Sequence, residues 1–181
     1  MKNLYLILLV SLFFSCKEEK KAKKTVDFKN FSIEVPQKWV ELQLNGIDSY
    51  SKGFLTKEED SIMIDYGKYS SKIDDVVNVS NYSEKPKLDS LGFPTDEMFF
   101  SNTPDIDKNQ GTFHNEYYLY KKVDDKVCKV QIPKIVGKGL TKVYFGSIDD
   151  SNNSLTVYGR DLDSTNQDAL LEAFNSIKFK E

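Results

Sequence analysis

The chain has 181 residues, a net charge of −3 and two cysteines. This length suffices for one domain with a sizeable core. The charge does not suit a nucleic-acid-binding domain, which carries a clustered basic face. Two cysteines do not make a disulfide framework, and their spacing is not the Cys-x-x-Cys of a zinc site.

The first 15 residues have the pattern of a signal peptide. Lys2 precedes a nearly unbroken apolar run from Leu4 to Phe14, and the small residue Ser15 follows. This run is too short to span a membrane, which needs about 20 apolar residues. We therefore predict that residues 1–15 are removed.

The sequence Phe13-Phe14-Ser15-Cys16 resembles the lipobox of bacterial lipoproteins, in which the cysteine is acylated and becomes the new N-terminus. The resemblance implies lipidation of Cys16, for example by palmitate, and attachment to the outer membrane of a Gram-negative bacterium. Each buried CH₂ contributes about 0.8 kcal/mol, so two or more acyl chains give a stable anchor.

Residues 16–24 follow as a charged tether with five lysines and two glutamates. Within it, Lys17-Glu18-Glu19 resembles a signal that carries lipoproteins to the cell surface in some Gram-negative bacteria. The alternative is that these residues form only a solvated spacer. Residues 25–181 are predicted to form a single α+β domain.

The domain begins with runs of period two, which predict strands. Phe31, Ile33 and Val35 share one face of a first strand over Phe28–Val35, which Pro36 ends. Trp39 is expected to pack back onto the sheet. The segments Tyr50–Thr56 and Ser61–Tyr69 then predict a hairpin.

The middle of the chain has less regular patterns. We predict a short helix over Ile73–Tyr82 and an irregular stretch over residues 84–110, which contains three prolines. Asp105-x-Asp107-x-Asn109 followed by Glu116 has the ligand spacing of a calcium loop. The segment Glu84–Glu116 is therefore one alternative site for calcium or a small ligand, and an acidic turn is the other interpretation.

The next hairpin can be registered from the sequence. Its strands, Phe113–Val123 and Lys126–Pro133, flank the two-residue turn Asp124-Asp125. Pairing Val123 with Lys126 places residues of like character opposite each other. The pairs expected from this register are Leu119 with Val130, Tyr117 with Ile132, Tyr118 with Gln131, and Tyr120 with Lys129.

This register argues against a catalytic cysteine–histidine pair. It places His114 about seven residues along the hairpin from Cys128, roughly 23 Å away, on the opposite face. Cys128 is therefore expected in the core. Tyr118 and Tyr120 are expected beneath a helix, with an exposed binding strip as the alternative.

A last hairpin, Thr141–Ile148 with Ser154–Arg160, is predicted before a C-terminal helix. Ser164 and Gln167 form a capping box, and Leu170, Phe174 and Ile177 form the apolar stripe. Asp161-Leu162-Asp163-Ser164-Thr165 resembles the motif of haloacid-dehalogenase-type phosphatases, but only 16 residues follow it. Gly137-Lys138-Gly139 lacks the frame of a phosphate loop and is predicted as a turn.

Two terminal parts of the domain are similar to the PsbP-like family. They are the opening Phe31-Ser32-Ile33-Glu34-Val35-Pro36-x-x-Trp39 and the closing strand and helix over Leu155–Phe179. The resemblance implies a mostly antiparallel sheet flanked by helices, an α/β/α sandwich, and an all-β sandwich is the alternative fold. Members of the family are mostly accessory and binding proteins without shared catalytic residues, so the resemblance assigns no site.

These observations predict a lipid-anchored, non-enzymatic accessory or binding protein of the cell envelope. No catalytic, metal or cofactor-binding residue is assigned, and Cys16 is the one position with a predicted chemical fate. The expected partners are the membrane and an envelope protein, without nucleic acid. The alternatives are a calcium- or small-ligand-binding domain using residues 84–116, and an enzyme whose site is built from distant carboxylates.

Overall fold

The computed structural model of the protein describes residues 22–42, 44 and 50–180. The predicted signal peptide and Cys16 lie outside the described residues. The strands are β1 (Lys23–Asp27), β2 (Phe31–Pro36), β3 (Val40–Leu42), β4 (Tyr50–Leu55), β5 (Ser61–Gly67), β6 (Val79–Asn81), β7 (Phe99–Ser101), β8 (Glu116–Val123), β9 (Lys126–Pro133), β10 (Leu140–Phe145), β11 (Ser154–Arg160) and β12 (Lys178–Phe179). The helices are α1 (Lys85–Ser90), α2 (Pro104–Gln110) and α3 (Ser164–Asn175).

The largest element is a seven-stranded sheet in the order β3-β4-β5-β11-β10-β9-β8. Every neighbouring pair in it is antiparallel. The predicted mostly antiparallel sheet is therefore confirmed. A smaller sheet has the order β1-β2-β12, and β6 and β7 form a parallel pair.

One face of the large sheet is apolar and forms the core. β2 and α3 pack over this face. Phe31, Ile33 and Val35 of β2 are buried against it, as predicted, and so is Trp39. The inward side chains of the large sheet are Phe54, Ile62, Ile64, Cys128, Val130, Val143, Phe145, Leu155 and Val157.

Helix α3 closes the core through Leu170 and Phe174, and Ile177 is buried just after its end. The helix cap differs from the predicted one by one residue. The Asp163 carboxylate, not Ser164, accepts the backbone N–H of Asn166, at 2.7 Å. A charged acceptor suits the positive end of a helix. Since α3 contributes to the core, the fold mixes helix and sheet and is not an all-β sandwich.

The opposite face of the large sheet, the back face, is polar and is crossed by residues 70–75, here called the strap. The Lys142 ammonium donates to Ser71 Oγ at 2.9 Å and to the Lys72 carbonyl at 3.0 Å. Thr156 Oγ1 donates to the Ser71 carbonyl at 3.0 Å. The predicted helix over Ile73–Tyr82 is wrong: residues 73–78 form neither helix nor strand, and Val79–Asn81 form β6.

The predicted irregular stretch over residues 84–110 is also wrong in part. It contains α1, β7 and α2. Pro86 and Pro104, which suggested interruptions, stand in the first turns of α1 and α2. Proline is tolerated there because those N–H groups have no partner inside the helix.

At the N-terminal end, β1 includes Lys23 and Lys24, the last two residues of the predicted tether. These lysines are held by the fold: Lys23 forms an ion pair with Glu172, and Lys24 donates to the Trp39 carbonyl. Across the described ranges, we find no helix with the length and apolar character needed to cross a bilayer.

Candidate functional site

The strongest candidate site is a cleft of about 500 Å³ at one end of the back face, here called the Arg160 cleft. Glu116 of β8 pairs with Pro133 of β9, and Arg160 of β11 pairs with Leu140 of β10. Each of these residues is the first or last of its strand, and both pairs lie at the same end of the sheet. The chemically active lining residues are His114, Glu116, Lys134, Lys138, Arg160 and Asp161.

Two loops are locked together at the base of the cleft. The Gly139 N–H donates to the Asp161 carboxylate at 2.6 Å, and the Asp161 N–H donates to the Gly139 carbonyl at 2.8 Å. Asp161 has a φ of +53° and Gly139 one of +118°. A non-glycine residue in this region costs free energy and persists only where its surroundings hold it. The reciprocal bonds supply that restraint.

Close packing also disfavours a larger residue at position 139. A Cβ atom there would lie 3.1 Å from Glu116 Oε1 and 3.3 Å from Pro133 Cβ. The preceding residues form a tight turn in which the Lys138 N–H donates to the Ile135 carbonyl at 3.1 Å. The predicted turn at residues 137–139 is therefore confirmed, and it places Lys138 on the rim.

Some charged groups of the cleft form hydrogen bonds within the protein, and others do not. Asp161 accepts the bond from Gly139, and Glu116 accepts one from the Tyr118 hydroxyl at 3.2 Å. Lys134 donates to the Gly111 carbonyl at 3.3 Å. Within residues 22–42, 44 and 50–180, neither Arg160 nor Lys138 has a carboxylate within 4.0 Å.

The cleft contains both the single histidine and the single arginine of the chain. The His114 ring makes an edge contact with Tyr118, with centroids 5.0 Å apart. The sequence prediction places His114 within the strand Phe113–Val123 and does not single out Arg160, whereas in the structure His114 lies two residues before β8. The composition could have drawn attention to Arg160, because the other 24 of the 25 lysine and arginine residues are lysine.

Tyr118 and Tyr120 project from the back face of β8. Tyr118 is partly buried, and desolvation together with the nearby Glu116 carboxylate raises its pKa to about 12. Tyr120 is 70% exposed. The predicted covering helix is therefore wrong. The neighbouring Lys129 instead binds the strap, through Asp75 at 2.6 Å and the Ile73 carbonyl at 3.4 Å.

Cys128 is confirmed as a core residue. It is 1% exposed, and its thiol lies 3.5 Å from the Lys121 carbonyl. Burial raises the pKa of the thiol, which disfavours the reactive thiolate. The β8–β9 register is the predicted one, from Val123 with Lys126 to Tyr117 with Ile132.

The calcium-loop spacing does not produce a loop. Asp105, Asp107 and Asn109 lie on α2, and Glu116 begins β8. The Asp107 carboxylate is used within the fold, where it accepts from Ser101, Thr103 and Thr112. The part of the chain that the structure describes has no group of three or more His, Cys, Asp or Glu side chains arranged to hold a metal ion.

A second cleft, of about 550 Å³, surrounds Asp149. The Asp149 carboxylate accepts from the Tyr66 hydroxyl, from the Asn30 and Asn153 amides, and from the backbone N–H groups of Ser151 and Asn153. Partial burial raises its pKa, but the bonds from Tyr66, Asn153 and Asn30 lower it more, to well below its usual range. This carboxylate holds the β10–β11 loop and has little capacity left for a ligand.

No protein-family model matches the chain, and no curated protein matches it with significance.

We expect Asp149→Asn to reduce the pH dependence of stability in the acid range. Because the folded-state pKa is lowered, the stabilising contribution is complete above about pH 5 and is lost as pH falls through the folded-state pKa. Urea unfolding at about pH 7 and about pH 3 measures it. The wild type should lose more stability between the two conditions than Asp149→Asn.

Asp150→Asn is the matched control for this experiment, because Asp150 is exposed and neighbours Asp149 in the same loop. It should behave as the wild type does. Equal pH dependence in all three proteins would show that the Asp149 network does not stabilise the loop.

Proposed function

We propose that the chain is a lipid-anchored, non-enzymatic binding protein of a Gram-negative envelope and that its domain holds a ligand in the Arg160 cleft. The observation that carries the binding role is this cleft, which combines a concave surface with Arg160 and Lys138, neither of which forms an ion pair with another described residue. Ligand sites are commonly concave, with a few convergent polar groups. The anchor rests on the apolar leader and on Ser15-Cys16.

The position of β1 supports a domain held close to the membrane. β1 begins at Lys23, seven residues after Cys16. Seven extended residues span at most about 25 Å. An acylated Cys16 would therefore keep the domain near the head groups, where the tether lysines can meet anionic lipids.

Acylation of Cys16 can be assigned because the chain has only two cysteines. We expect cells fed an alkyne-bearing palmitate analogue to label the wild-type protein. Cys16→Ala should lose the label and retain the leader, because it lacks the thiol at position 16 that would be acylated. Cys128→Ala is the control and should keep the label, since Cys128 is buried in the core. Label that persists in Cys16→Ala would contradict the lipid anchor.

The carboxylates of the cleft support a second candidate, a carboxylate-based enzyme. Glu116 and Asp161 are distant in sequence and line the same cleft. Each already accepts a hydrogen bond from within the fold, which favours a structural role.

A broad hydrolase screen separates the binding protein from the enzyme. We expect the wild type to show no turnover above background. Turnover that Glu116→Gln or Asp161→Asn abolishes, while the exposed control Asp168→Asn keeps it, would favour the enzyme.

We also propose that the domain is a divergent relative of the PsbP-like family. Its support is the opening strand β2 with the buried Trp39, and the closing succession of β11, α3 and β12. A sequence profile built from this chain's own homologues should match that family over both parts. A match of the same strands to another family would contradict the proposal.

A further inference from the structure

The cations of the Arg160 cleft remain available after the fold has used its other charges. Lys134 is occupied by the Gly111 carbonyl, and its ammonium lies 5.6 Å from the centre of the Tyr117 ring. Both carboxylates accept bonds from within the fold. Among the Lys and Arg side chains that line the cleft, the Arg160 guanidinium and the Lys138 ammonium form no hydrogen bond or ion pair with another described residue.

The choice of arginine at position 160 indicates the geometry of the ligand. Of the 25 lysine and arginine residues in this protein, the other 24 are all lysine. A guanidinium differs from an ammonium in presenting a planar fork, which can donate two parallel hydrogen bonds to a carboxylate or a phosphate. The single arginine therefore lies in a cleft where it can form a bidentate hydrogen bond with an oxyanion.

The backbone beneath Arg160 is already ordered. Arg160 pairs with Leu140 at the end of β11, and the next residue, Asp161, is locked to Gly139 by two hydrogen bonds. Binding therefore requires ordering of side chains but not of this loop, which lowers the entropic cost of association.

We propose that the Arg160 cleft binds a small molecule through one oxyanion group, a phosphate or a carboxylate, held by Arg160 and Lys138. The proposal rests on the binding function above and names the ligand class of the same cleft. A volume of about 500 Å³ suits a small metabolite. Glu116 and Asp161 repel further negative charge, and their free lone pairs accept hydrogen bonds from hydroxyl or amino groups of the ligand.

The test is a titration of the purified full-length protein in detergent with inorganic phosphate and with acetate, followed by calorimetry or NMR. We expect Arg160→Gln to raise the dissociation constant about tenfold, the loss typical of one charge-assisted contact. Arg160→Lys keeps the charge but loses the fork, so it should fall between Arg160→Gln and the wild type. Lys138→Gln should weaken binding less than Arg160→Gln.

Lys57→Gln is the matched control, because Lys57 is an exposed lysine in the turn between β4 and β5 that does not line the cleft. It should bind as the wild type does. Equal losses in Arg160→Gln and Lys57→Gln, or no binding of either anion by the wild type, would overturn the proposal. Circular dichroism confirms that each variant is folded.

Two further experiments distinguish a lipid head group from a free small molecule as the source of the oxyanion, and distinguish failure of the lipid-anchor proposal from failure of the ligand-class proposal. Binding of phosphatidylglycerol vesicles through Arg160 without binding of free phosphate would overturn the small-molecule ligand in favour of a lipid head group. Cys16→Ala should keep the wild-type dissociation constant for phosphate. A wild-type protein that takes up no palmitate label but binds phosphate in an Arg160-dependent manner would therefore end the anchor proposal and leave the ligand class supported.

Discussion

The alternation of side chains across the seven-stranded sheet constrains the rest of the structure. One face is apolar, so β2 and α3 must cover it. The other face carries Lys142 and Lys129, and Lys142 is only 6% exposed. A buried ammonium without partners is strongly unfavourable, and the carbonyls of residues 72 and 73 in the strap supply those partners. The sheet thus determines both where the core forms and where the strap must run.

The same pairing assembles the Arg160 cleft from residues that are distant in sequence. Glu116 begins β8 and Arg160 ends β11, and both lie at the same end of the sheet because the strands between them are antiparallel and in register. Gly139 and Asp161 then fix the loops that close the base. A ligand-binding surface therefore arises at the end of the polar face, where neither the strap nor the core uses the remaining cations.

The parts of the structure that could be predicted best are those determined by residues close to each other in the sequence. The β8–β9 register followed from the turn at Asp124 and Asp125, which both have positive φ, as a two-residue hairpin turn requires. The strap could not be predicted, because its partners, Lys129 and Lys142, lie more than 50 residues further along the chain. The cleft could not be predicted from local patterns, because Arg160 and residues 137–139 come together only through the pairing of β10 with β11, although the rarity of arginine is visible in the composition.

The most direct test of the central claim is NMR of the full-length protein labelled with ¹⁵N. The chain has one arginine, so the side-chain Nε–Hε region should contain a single resonance, from Arg160. The account predicts that inorganic phosphate or acetate shifts this resonance in a saturable manner, because the guanidinium fork donates to the oxyanion. A resonance that does not move while either anion is titrated to saturating concentration would contradict binding at Arg160.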